Sequence, residues 1–378
     1  MDLSFTSEEL AFAHEVRQWL DHHLELPPPF ADLAAEIAWG RAWQATLARD
    51  RWVGIHWPRA YGGRDATPVQ VAIFNMEYAR SRALQPVNRV GINLAGPTLL
   101  AHGTEAQKHR WLPGILSAEE LWCQLFSEPD AGSDLASLAT RAVPVDDGWL
   151  LRGQKVWTSY AQFARWGICL ARTDPDAPKH RGISYLVVDM HAPGIEVRPL
   201  VQITGDAEFN EVFFDDVHVP ADHLVGELHA GWAVANTTLA HERGTSFPFK
   251  EQVVHEVYLD ELYALALERG ALDDVEVADA FARAFVQVRV LRLHNWRTLS
   301  RLGRGLEPGA ESSVVKLAWT DATQHLSALA LDVEGRTAPL WGPWQRQWLW
   351  SKAASIAGGT SEVQRTIIGE RLLGLPRE

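Results

Sequence analysis

The sequence has 378 residues, 47% hydrophobic and 22% charged, the balance of a globular protein long enough for two or three domains. A formal charge of −13 argues against nucleic acid as a partner, because phosphate backbones need clustered Lys and Arg. A small phosphorylated ligand stays open, since it needs only a few basic groups or a helix N-terminus.

The N-terminus, MDLSFTSEEL, lacks the basic-then-apolar pattern of a signal peptide, and no apolar run approaches membrane-spanning length. No membrane partner is expected. Cys123 and Cys169 alone make neither a disulfide framework nor a zinc site, so no metal is expected and a reducing cytoplasm is the simple reading. The 17 tryptophans include Trp341, Trp344, Trp348 and Trp350, which read as packing in a core or subunit interface, or as the wall of a site for a bulky ligand.

Residues 1–118 read as helices. Ser7 gives a capped start, and Leu10, Ala13, Val16 and Leu20 form an apolar stripe near helical spacing. Pro27-Pro28-Pro29 breaks the chain before a second helix over Asp32–Arg49, and His56–Gly63 reads as a turn. Helical patterns follow at Val69–Arg80, Gly91–His102 and Glu105–Leu116. Residues 119–228 change to short β-like runs: Gly148–Gly153, Trp166–Arg172, Ile183–Val188, Ile195–Val201 and Glu211–Phe214. Close spacing of short strands suggests a compact barrel or sandwich. Residues 229–378 are helical again, with a turn-rich gap near Gly303–Gly309. The expectation is an α+β chain: N-terminal helical domain, small central β-barrel domain, C-terminal helical bundle.

Three stretches carry the chemistry. Ser127-Glu128-Pro129-Asp130-Ala131-Gly132-Ser133-Asp134 is a turn rich in Gly and small hydroxyls, and Gly153-Gln154-Lys155-Val156-Trp157-Thr158-Ser159 follows it. Near the end stands Ile356-Ala357-Gly358-Gly359-Thr360-Ser361-Glu362-Val363-Gln364-Arg365. Alone, the first is a surface turn with Asx-type bonds, and Trp157 is a core residue. Together they resemble the blocks of the flavin-dependent acyl-CoA dehydrogenase family. Phe209–Phe214, Val217–Pro220, Leu224–Gly226, Gly231-Trp232 and Leu373–Pro376 fall at family spacing too, so the resemblance covers nearly the whole chain in order.

The resemblance implies FAD and an acyl-CoA thioester substrate, oxidised to its α,β-unsaturated form. It implies flavin contacts at Gln124, Phe126, Ser127, Gly132, Ser133, Trp157, Thr158, Ser159, Thr360 and Glu362. Ser133 would face both cofactor and CoA, and Arg243, Gly358 and Gly359 would lie at the substrate. Many members carry the catalytic Glu where this chain has Gly358. The long-chain and isovaleryl branch places it instead on a helix after the β domain, and Glu242 of Leu239-Ala240-His241-Glu242-Arg243 matches that position. Helical spacing puts Ala235, Thr238, Leu239 and Glu242 on one face, largely small and apolar. A buried carboxylate beside an acyl chain is a strengthened base, whereas a salt-bridged helix Glu is the commoner fate. The small Ala235 and Thr238, with Gly358, suggest room for a bulky, branched or cyclic acyl group.

Besides Gly358, the sequence departs from the family pattern at two further places. The Arg-x-x-Phe-Gly…Gln run that reaches a neighbouring subunit's flavin is replaced by Gly244–Lys250, and a substrate-holding Asp corresponds to Ala240. The family packs as dimers of dimers, implying a homotetramer or an α2β2 complex with a related chain, with electron-transferring flavoprotein as acceptor. The alternatives are a carrier-protein acyl dehydrogenase, another flavin oxidase or monooxygenase of this fold, or a supporting subunit of a heteromeric dehydrogenase.

Overall fold

The structure, a computed structural model, describes residues 5–242, 246–306 and 309–376, without the side chains of 242 and 246–249. The chain opens with α1 (Ser7–His23), α2 (Leu33–Arg49), α3 (Pro68–Arg80), α4 (Gly96–His102, entered through a π turn) and α5 (Glu105–Ser117). The strands are β1 (Trp122–Leu125), β2 (Arg141–Val145), β3 (Gly148–Ser159), β4 (Trp166–Arg172), β5 (Ile183–Asp189), β6 (Ile195–Leu200), β7 (Phe209–Pro220) and β8 (Leu224–Val225). Helices α6 (Gly231–Glu242), α7 (Ser246–Arg269), α8 (Val275–Leu302), α9 (Glu311–Glu334), α10 (Pro343–Trp350) and α11 (Ser361–Ile367) complete it. The order helices, sheet, helices is the one expected.

Capping chemistry sets the helix starts. The first begins one residue earlier than expected: Thr6, not Ser7, is the cap, because Glu9 returns a bond to the Thr6 N–H and closes a capping box. Its core stripe uses Phe12 with Ala13, Val16 and Leu20, while Leu10 stays exposed. The same box recurs at Thr67–Gln70 and Thr104–Gln107.

Packing divides the chain into two compact units, each built from separated stretches. One comprises residues 1–26, 67–83 and 243–378. In it Met76 and Ala79 of α3 pack with Val253 of α7, and α1 joins α3 through Arg17 and the buried Glu77, 2.9 Å apart. Leu262, Phe281, Val288, Leu326 and Leu329 fill the space between α7, α8 and α9. Each such buried side chain contributes about 1.5–3 kcal/mol. Of the C-terminal tryptophans, Trp344 packs on Tyr258 and Trp350 on the Leu291–Trp319 cluster, while Trp341 is exposed.

The other unit holds residues 27–66 and 84–242. Its sheet has eight strands in the order β6-β7-β3-β2-β4-β5-β8, with β1 added parallel to β4. Among the described residues the hydrogen-bonded order runs from β6 to β8, with β1 branching from β4. Both β4 and β5 are buried almost throughout, which is why they read as unbroken apolar runs. The central pair β3–β7 is longer than expected: twelve residues each, with register shifts between Leu151 and Gly153 and between Lys155 and Thr158. The added half of β3, Gln154–Ser159, is held by pairing with Phe209–Phe213, and the added half of β7, Val217–Pro220, by pairing with Gly148–Leu151.

Candidate active site

The second register shift of β3 brings two of the motif stretches together. Val156 N–H donates to Ser127 O at 2.9 Å, and Lys155 Nζ donates to Phe126 O at 3.0 Å and to Glu128 Oε1 at 2.8 Å. Glu128 also accepts from Ala139 N–H at 2.6 Å and Thr140 N–H at 2.9 Å. Burial pushes its carboxyl up, but Lys155 and these donors outweigh burial and hold it below the usual carboxylate range. One ion pair therefore fixes both ends of the 127–140 loop to β3. In the sequence, Glu128 and Lys155 stand only as motif residues. The expected strand stops at Gly153, short of Lys155, so only the longer β3 reveals an inward Lys that needs a partner.

At the shift itself Trp157 takes φ +59°, the left-handed region that β-bulges use to turn a side chain outward. The result is a tryptophan 61% exposed, its ring edge-on to Phe209 at 6.1 Å. Ser159 is half-buried, while Gly132 and Ser133 of the loop are exposed. A methyl built on Gly132 would meet nothing within 4 Å, so a planar ring has open access there. Ser127 and Gln124 are half-buried, the latter on β1 opposite Ile168.

Two of the expected flavin contacts have buried side chains. Phe126 is buried with its ring edge-on to Tyr185, 6.0 Å and 85°, so only its main chain is left for a ligand. Thr158 is fully buried too, because strand alternation turns it away from Trp157, and its hydroxyl has no partner among the described residues.

Helix α6 ends at Glu242, whose side chain lies outside the described residues, as does Arg243. Ala235 and Thr238 are fully buried, and Thr238 meets Tyr185 and Thr98, so these small residues leave no open space for a ligand. This corrects the expectation that they make room for an acyl group.

The third stretch lies in the other compact unit. Gly358 and Gly359 take φ +67° and +95°, and buried Gln364 donates to both carbonyls, at 3.0 and 3.4 Å. Thr360 caps α11, accepting from Val363 N–H at 3.2 Å. Glu362 is exposed in the first turn, its carboxyl held below the usual range by its own N–H and by Thr360. Among the described residues no three His, Cys, Asp or Glu are grouped to hold a metal, and no helix is long and apolar enough to cross a membrane.

Three family models match in order: acyl-CoA dehydrogenase N-terminal domain over residues 6–119, middle domain over 123–217 and C-terminal domain over 229–373. The acyl-CoA dehydrogenase IpdE1 of Mycobacterium tuberculosis (strain ATCC 25618 / H37Rv) is 45% identical over 343 residues, covering 89% of this chain and 88% of that one. This chain belongs to the acyl-CoA dehydrogenase family. As an acyl-CoA dehydrogenase it is an oxidoreductase and a flavoprotein that takes FAD. The exposed Trp157, next to a residue bonded to Ser127, and the open position of Gly132 are compatible with a planar cofactor. The dehydrogenase also resembles IpdE1 of Mycolicibacterium smegmatis (strain ATCC 700084 / mc(2)155), 39% identical over 97% of this chain and 98% of that one. Among solved structures, the Tcur3481-Tcur3483 steroid ACAD superposes with a TM-score of 0.88 at 29% identity, covering 100% of both chains. The ChsE4-ChsE5 complex from Mycobacterium tuberculosis gives 0.85 at 31% identity, again over 100% of both.

Proposed function

We propose that this dehydrogenase oxidises an acyl-CoA thioester between its α and β carbons, with Glu242 as the base. Bound FAD supplies the hydride acceptor at N5. The Glu242 carboxylate takes the α-proton, the α C–H electron pair becomes the new double bond, and the β-hydrogen leaves as hydride. Trp157 supplies an aromatic surface for the cofactor ring, and Ser133 serves the boundary between cofactor and CoA. Arg243, Thr360, Glu362 and the Gly358-Gly359 turn complete our assignment. The observation that carries the reading is the exposed Trp157, turned out of β3 beside a loop that the Lys155–Glu128 pair fixes. Placing the base at Glu242 rests on the family position and on Gly358, which has no carboxylate to offer.

The acyl group we assign is bulky and ring-bearing, as in a steroid degradation intermediate, since a similar structure is titled a steroid ACAD. The same structures carry two chain names each, which supports an α2β2 assembly with a related chain, a homotetramer being the other outcome. Electron-transferring flavoprotein is the proposed acceptor, and the cytoplasm the proposed compartment.

Anaerobic flavin bleaching across a panel of CoA thioesters tests the substrate: a ring-bearing acyl-CoA should exceed butyryl-CoA in kcat/KM, and the reverse order would overturn the assignment. Glu242→Gln tests the base. General-base catalysis contributes ~10²–10⁴-fold, so turnover should fall at least that far with FAD content unchanged. A Gln variant turning over at the wild-type rate would mean another residue is the base.

A further inference from the structure

Helix α6 is fixed to the sheet at its start and middle by contacts that the assignment of Glu242 does not explain. At its start, Ile183 of β5 bridges Ala230, and the His229 N–H donates to Ser184 Oγ at 2.9 Å. A methyl on Gly231 would lie 2.4 Å from the Ser184 carbonyl carbon, so only glycine allows the helix this close to the strand. In its middle three hydroxyls meet out of contact with water. Thr98 Oγ1 is 2.8 Å and Tyr185 Oη 3.2 Å from Thr238 Oγ1, which in turn donates to Val234 O at 3.3 Å. On the adjoining position, His102 Nε2 is 2.8 Å from Thr237 Oγ1.

Each hydroxyl has one proton, which orders the network. The Thr238 proton goes to Val234 O, so Thr98 and Tyr185 both donate to the Thr238 oxygen and every proton is used. Burial pushes the Tyr185 phenol far above its ordinary range, which keeps it a neutral donor. Three buried hydroxyls are a costly way to fill a core: Val and Phe would fill the same space without polar groups to satisfy. What directional bonds add is a single register, since a helix held only by apolar contacts can slide or rotate by fractions of a turn. Thr238 stands one turn, about 5.4 Å of helix rise, before Glu242. On the other side of Tyr185 lies Phe126, whose carbonyl is held by Lys155 at the flavin loop.

We propose that Tyr185, Thr238 and Thr98 are positioning residues: they set the axial and rotational position of α6, and through it the place of Glu242 relative to the flavin loop. The inference rests on Glu242 being the base. A base misplaced by about 1 Å can lose ~10²-fold in rate, so hydroxyl bonds one helical turn away have enough leverage.

The test uses the assembled, FAD-loaded enzyme and three substitutions. Tyr185→Phe and Thr238→Val keep shape and remove a hydroxyl; Thr238→Ser keeps the hydroxyl. For the first two we expect kcat to fall about 10–100-fold while KM changes little, because the substrate is bound but the base is displaced. Thr238→Ser should restore most of the rate. Amide exchange of the 231–242 peptide, measured in the apoprotein as well, should quicken in the hydroxyl-deleted variants and recover in Thr238→Ser. In a Glu242→Gln background, single-turnover bleaching should lose its sensitivity to Tyr185→Phe, since there is no base left to misplace. Wild-type kcat and exchange in both hydroxyl-deleted variants would overturn the proposal, as would a Tyr185→Phe penalty of equal size with Gln at 242. The two failures are separable. If Glu242→Gln alone turns over normally, the base assignment falls and this inference with it; if it is inactive and Tyr185→Phe is unaffected, only the positioning role falls.

Discussion

Lys155 Nζ lies 2.8 Å from Glu128 Oε1, with the lysine fully buried and the glutamate 8% exposed. The pair joins a strand to a loop twenty-seven positions earlier in sequence, and its lysine stands two residues before the exposed Trp157. Its members are satisfied beyond each other: Lys155 also binds Phe126 O, and Glu128 the N–H groups of Ala139 and Thr140. A buried pair so completed tolerates burial, whereas either member alone does not.

Lys155→Met should therefore destabilise the protein by about 3–5 kcal/mol, the usual cost of leaving one buried charge unpaired. Because the Phe126 carbonyl and the 127–140 loop lose their anchor together, FAD retention should fall as well. Urea unfolding of the apoprotein and flavin content after gel filtration check the two effects separately. A variant as stable and as yellow as the wild type would show that the pair anchors nothing.

Acid should act through the same pair. The folded-state carboxyl of Glu128 is held below its ordinary value, so its contribution to stability is complete above the unfolded carboxylate range, near pH 4.3, and disappears as pH falls through the lower folded value. Between about pH 5 and pH 3 the unfolding free energy of the wild type should fall more steeply than that of Glu128→Gln, which cannot titrate there. Parallel slopes would mean that Glu128 is not ionised against Lys155.

Trp157 is exposed, so truncating it should leave folding within about 0.5 kcal/mol of wild type. Cofactor binding should not be spared. Loss of an aromatic contact worth about 0.5–1.5 kcal/mol weakens FAD by about 2–10-fold. Fluorescence titration of the apoprotein of Trp157→Ala with FAD measures it, and an unchanged Kd would return Trp157 to an ordinary surface position.

Moving the base tests the two family positions against each other. Glu242→Thr with Gly358→Glu should recover a part of the activity lost in Glu242→Thr alone, provided both positions serve the same α-carbon. Recovery is limited by the backbone: Gly358 stands at φ +67°, where a side chain costs about 1–2 kcal/mol. Gly358→Glu alone should lower the midpoint of thermal unfolding, and no recovery in the double variant would separate the two positions chemically.

The order of helices, strands and helices was legible from periodicity, and the family from blocks in register, because both signals are local or pairwise along the chain. Helix starts were legible to within a residue, since Thr6, Asp32, Thr67 and Thr104 cap with their own side chains. What the linear pattern could not carry was direction. Ala235 and Thr238 read as small residues beside a ligand, and only the packing of α6 against Tyr185 and Thr98 turns them into core. Phe126 and Thr158 lie inside motif blocks, yet both are buried, Phe126 against Tyr185 and Thr158 by the alternation of β3, whose bulge turns Trp157 outward. Likewise, no spacing rule pairs Lys155 with Glu128 or Gln364 with the Gly358 carbonyl. Those contacts exist because a buried charge or amide must find its partner wherever the folded chain brings one within hydrogen-bond reach, and that is settled by the whole unit at once.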